Sequence, residues 1–140
     1  MCVTRCENLV LEAVESSPLV FSLLSALDRA GCPFSVGRHV ACEPLPPGML
    51  GGFDKDLNQV LGVSEQLGIV GSLLLMVTIQ VVICSDKCRD LERVTRILTH
   101  ELVHMFDDCT AMVDWANLRH LACSEVPSSC TCFKKVECIL

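Results

Sequence analysis

The sequence predicts an α+β domain, and three observations carry that expectation. Two stretches, residues 7–30 and 85–108, repeat apolar side chains at helical spacing. Between them, residues 77–83 are largely β-branched and uncharged, which suits a buried strand. At 140 residues the chain is long enough for one domain with a real core and short for two.

Taken in order, residues 7–30 form a helical pattern that Pro18 interrupts, because proline removes a backbone donor. Leu19, Leu23 and Leu27 then share one face, and Gly31 ends the run. Residues 42–54, "CEPLPPGMLGGFD", hold three prolines and three glycines and read as a loop leading into a strand or hairpin. Residues 66–85 are twenty without a charge, long enough to span a bilayer. Gln80, the β-branched second half and the lack of flanking lysines or aromatic anchors favour a buried strand instead.

A helix is expected over residues 85–108, capped by Ser85 or Asp86. Leu91, Val94, Leu98, Leu102 and Met105 form its core stripe, with Arg89, Arg93, Arg96, His100 and His104 on the other side. A second helix is expected over residues 110–126, with Val113, Leu118 and Leu121 inward and Pro127 as its stop. No internal repeat is evident.

Composition narrows the function. A formal charge of −6 argues against a nucleic-acid binder, since neutralising phosphates needs a basic surface. Aromatic residues are 4% of the chain and tyrosine is absent, so aliphatic side chains and cysteine must fill the interior. Eleven cysteines point to an oxidising or a redox-mixed compartment, and their spacings, Cys84-x3-Cys88 and Cys130-x-Cys132, are not those of paired zinc knuckles. The first twenty residues carry Glu7, Glu12 and Glu15, unlike an export signal or an Arg-rich presequence.

The chemistry sits in "HELVH", residues 100–104. Histidines four apart on a helix project from one face a turn apart, the spacing two imidazoles need to share one Zn2+. Glu101 lies one step round, placed to act as a general base on water rather than as a ligand. The pattern is a signature of zinc peptidases. A plain helix with two histidines is the alternative, but an apolar opposite face favours the site.

A catalytic zinc needs a third protein donor. The glycine and histidine that one class of these enzymes carries after the motif are replaced here by Asp107 and Thr110. Glu125, twenty-one residues beyond His104, fits a His2Glu set, and His120 is the other candidate. Asp107, Asp108 and Asp114 suit caps or partners that orient a histidine, and Trp115 suits the core.

With these residues in view, "GGFD" (51–54), "QVVIC" (80–84) and "RVTRILTHELVHMFDDCTAMVDWANLRHLACSE" (93–125) resemble the mitochondrial inner-membrane metallopeptidases of the ATP synthase assembly pathway, also known as Ku-antigen-binding protein homologues. Weaker resemblance reaches upstream to about Phe21. It implies a zincin-like α+β fold over residues 1–140, with His100 and His104 as zinc ligands and Glu101 as general base. It also implies a location on the intermembrane-space side of the mitochondrial inner membrane, a protein substrate (an ATP synthase subunit precursor), and import without a cleavable presequence. Cys84, Cys109 and Cys123 match family cysteines, for which the resemblance implies disulfides.

Two departures stand out. Residues 60–80 intervene where the family passes almost directly from "GGFD" to its "QVVxC" strand, and read as an insert. Residues 126–140, "VPSSCTCFKKVECIL", replace an Arg-Ala-rich helix and long tail, so the C-terminus reads as shortened. A catalytically inactive assembly factor on the same scaffold is therefore the rival expectation. A DNA-repair partner is the third, and the acidic charge speaks against it.

Overall fold

The computed structural model describes residues 2–54 and 80–125. Two helices, α1 (Cys2–Ser16) and α2 (Pro18–Arg29), open the chain, followed by a single turn, α3 (Val36–His39). Strands β1 (Val40–Glu43), β2 (Gly51–Asp54) and β3 (Gln80–Cys84) form a sheet of order β1-β3-β2. A 3-10 turn at Ser85–Lys87 leads to the long helix α4 (Leu91–Thr110), and the short helix α5 (Leu118–Glu125) closes the described chain. The class is α+β.

The break between α1 and α2 follows from local chemistry. Ser17 caps α2 by accepting from Val20 N, and Pro18 takes the first helical position, where its missing N–H costs nothing. The two helices meet at 82°. At the far end of α2, Gly31 adopts φ +82°, Cys32 N donates to Leu27 O, and Gly31 N donates to Asp28 O. That Schellman closure stops the helix where glycine predicted it would stop. The buried stripe of α2 is Val20, Leu23, Ala26 and Leu27, whereas Leu19, expected inside, is 39% exposed because the bend at Ser17 turns it outward.

β3 is the middle strand, and Val81, Val82, Ile83 and Cys84 are all buried. It pairs parallel to β1 and antiparallel to β2, with Gly52 opposite Val82. The buried strand expected near residues 77–83 is thus present from Gln80. The rest of the uncharged run, with the insert at 60–80, lies outside the described residues apart from Gln80. Among the described residues no single helix is long and apolar enough to cross a membrane.

α4 is the central element, packed on α1, α2, β2 and β3. Val94, Leu98, Leu102 and Met105 are buried as the stripe predicts, and Ile97 and Phe106 join them. Its start differs from expectation. Ser85 and Asp86 belong to the 3-10 turn, Cys88 leaves helical geometry, and Asp90 is the cap, accepting from Arg93 N at 2.8 Å. A hydroxyl and two carboxylates all suit a cap by type; the turn at Cys88 selects the last.

α5 is also shorter than expected. Asp114 Oδ1 accepts from Ala116 N and Asn117 Oδ1 accepts from Arg119 N, so residues 111–117 spend their polar groups on turns. Leu118 is consequently 79% exposed and Leu121 is exposed, correcting both as inward residues. The expected stop at Pro127 and the atypical tail, 126–140, lie outside the described residues.

Disulfides tie the helices to the rest. Cys6–Cys42 joins α1 to β1, and Cys32–Cys109 joins the end of α2 to the end of α4. Cys123 is disulfide-bonded too. Cys84 is not: it and Cys88 are buried free thiols, packed side by side where β3 turns toward α4, with Cys88 Sγ donating to Cys84 O.

Candidate metal centre

His100 and His104 lie one turn apart on α4, on the side that faces β2 and α5. His104, expected on the polar side with His100, is buried, because α5 covers it. Their Nε2 atoms stand 3.0 Å apart with the rings edge to face. Glu125, the last residue of α5, places Oε2 3.5 Å from His100 Nε2 and Oε1 3.5 Å from His104 Nε2. One donor atom from each of the three fits within 4.8 Å of the others.

This donor set fits a metal ion on its own chemistry. Donors held at the ~2.0–2.1 Å typical of zinc in a tetrahedron stand roughly 3.3 Å from one another. The observed separations of 3.0 and 3.5 Å bracket that edge length. Two imidazole nitrogens so close repel unless a cation or a shared proton lies between them.

His120 stands apart from this group. Its Nδ1 accepts from Asp114 N at 3.0 Å, a contact that stabilises the turn before α5. The two candidates for third donor therefore separate: Glu125 reaches the histidines, and His120 serves the loop.

Behind His104 a polar chain runs into the interior. His104 Nδ1 lies 2.6 Å from Ser124 Oγ, and Ser124 Oγ donates to Asp107 Oδ2 at 2.8 Å. Asp107 thus reaches a histidine as expected, but through a serine. Asp108 instead accepts from Trp115 Nε1 at 2.9 Å. That contact stands Trp115 edge-on to His104, with centroids 5.7 Å apart, and against Phe53 at 5.6 Å. Trp115, expected in the core, is a half-buried wall of the site.

Glu101 is buried beneath the cleft floor. Burial, and secondarily the negative charge of Glu125, push its carboxyl up to about 7. Gly51, Gly52, Phe53, Trp115 and Leu121 complete a cleft of about 300 Å³ around the four polar residues. A general base with a pKa near neutrality both accepts and returns a proton readily.

The family match decides the relationship. The Peptidase M76 family matches residues 4–136, nearly the whole chain. The chain belongs to the Peptidase M76 family. The match begins well upstream of Phe21, where the resemblance was expected to fade. Among curated M76-like relatives, the human "mitochondrial inner membrane protease ATP23 homolog" is 36% identical over 123 residues, covering 87% of this chain and 42% of that protein. The mouse protein of the same name is 34% identical, covering 86% and 50%. "Mitochondrial inner membrane protease atp23" of Schizosaccharomyces pombe is 30% identical, covering 89% and 55%. The chain thus spans about half the length of the curated relatives it matches. No solved structure matches it.

Sequence reasoning missed Gly51, Gly52, Phe53, Leu121 and Ser124 among the residues of the site. Ser124 carries no local signal beyond preceding Glu125, and Gly51 shows itself only in "GGFD", where nothing marks its closeness to Glu101.

Proposed function

We propose that this M76 chain is a zinc-dependent endopeptidase of zincin-like architecture, its residues acting as one domain. The observation that carries the reading is the meeting of two Nε2 atoms and one carboxylate beside a buried glutamate. His100, His104 and Glu125 would hold the metal. When bound, zinc supplies Lewis-acid activation of water and of the scissile carbonyl.

The chain's own groups account for the rest. Glu101, between the two histidines in sequence and buried, takes a proton from the attacking water as its oxygen adds to the peptide carbon. It returns that proton to the amide nitrogen as the C–N bond breaks. Phe53 and Trp115 shield one side from solvent, which strengthens these charge interactions. The relatives' names support placement at the mitochondrial inner membrane. We take the intermembrane-space side as the site of action and an ATP synthase subunit precursor as the substrate, from the resemblance set out above.

The test compares zinc stoichiometry and peptide hydrolysis for the parent chain and Glu101→Gln. The substitution should leave zinc bound and lower the rate by about 10²–10⁴-fold. Equal residual rates in the two would reject the mechanism and favour the inactive-scaffold reading.

A further inference from the structure

Two successive residues of α5 address opposite nitrogens of one ring. Ser124 meets His104 at Nδ1, and Glu125 meets it at Nε2. Ser124 is 1% exposed and is the buried residue of α5, while Leu118 and Leu121 lie exposed. Asp107, fully buried three residues after His104 on α4, completes the chain.

With Asp107 as a carboxylate, the hydrogen bonds run one way. A carboxylate accepts and cannot donate, so the single O–H of Ser124 is committed to Asp107 Oδ2. Ser124 Oγ can then only accept from His104, which places the ring proton on Nδ1. The Nε2 lone pair is left facing His100 and Glu125.

We propose that Ser124 and Asp107 are positioning residues that fix the His104 tautomer in which Nε2 is a metal donor, and that Ser124 seats Glu125 in the same step. The inference rests on the reading of His104 as a ligand. The donor set would then form only when α5 docks through its serine.

The test uses the whole chain. The tautomer of His104 is read from its ring ¹⁵N shifts in the metal-free protein at mildly alkaline pH. Zinc affinity is read by competition with a chelator for the parent, Ser124→Ala, Ser124→Thr and Asp107→Asn. The parent should show Nδ1–H. Asp107→Asn, nearly isosteric, presents either an N–H or a C=O to Ser124 Oγ, so the serine hydroxyl is no longer committed and the ring should lose its preference for Nδ1–H. Ser124→Ala and Asp107→Asn should each bind zinc about 10–100-fold more weakly. Ser124→Thr, which keeps the hydroxyl, should recover most of that loss. An Nε2–H tautomer in the parent overturns the proposal whether or not any variant folds. So do affinities for Ser124→Ala and Asp107→Asn that match the parent's. Failure of the parent to bind zinc would instead strike the ligand reading, and the tautomer measurement would still decide this one.

Discussion

A methyl group added at Gly51 would stand 2.7 Å from Ile97 Cγ2, 3.0 Å from Val82 O and 3.2 Å from Glu101 Oε1. The first contact can yield by a rotamer change, the second cannot, and the third moves the residue proposed as general base. Gly51→Ala should therefore cost about 1–3 kcal/mol of stability, the usual range for overpacking, and lower hydrolysis further than stability alone explains. Gly52 offers the control, since nothing lies within 4 Å of a side chain there. Urea unfolding and rate measurements on both variants check this; equal effects at the two glycines would refute it. At this scale the sequence was informative where chemistry is written in residue type. His100, Glu101 and His104 stand out by spacing, and Glu125 by its distance from His104. Ser124 and Gly51 do not, because a buried hydroxyl and a missing Cβ acquire meaning only from what packs against them.

Among the elements, α4 was legible because its apolar stripe is unbroken and its opposite face is charged. Its first residue was not, since three candidate caps precede it and tertiary geometry chooses. β1 left no mark at all: "VACE" is short and half-buried, and its strand geometry comes from parallel pairing with β3 some forty residues away. α5 is shorter than its sequence pattern suggests because Asp114 and Asn117 spend their side chains on turns. What holds these pieces in place is partly covalent. The Cys32–Cys109 bond spans 77 residues and pins α2 to the helix that carries the histidines. Replacing both cysteines by serine should lower stability by about 2–5 kcal/mol, the range for loss of a native disulfide. Thermal unfolding with and without the pair measures it, and an unchanged midpoint would show that packing alone suffices.

For the whole molecule, the buried thiol of Cys88 sets an alkaline limit. Burial, then the neighbouring Cys84, push the Cys88 thiol up from its ordinary value. A thiol raised by folding holds its proton longer in the folded chain than in the unfolded one. Its stabilising contribution is therefore complete below the unfolded value of about 8.5 and declines as pH rises through the folded one. The urea midpoint should fall from about pH 8 to about pH 10, and the fall should be shallower in Cys88→Ala. Identical slopes would dissociate Cys88 from the effect. Zinc acts on the same equilibrium: at a free concentration 100 times its Kd it should add about 2.7 kcal/mol, and chelation should remove it. A midpoint indifferent to chelator would count against the donor set.

The proline-rich loop between β1 and β2 also has a consequence for how the protein would break. A single backbone cut there leaves α1, α2 and β1 on one piece and α4 on the other. The bond from Cys32 to Cys109 crosses that cut, so the halves should run together on a gel until reductant is added. A nicked molecule would then keep its histidine helix clamped to its N-terminal half, and damage at this loop would escape a denaturing gel run without reducing agent.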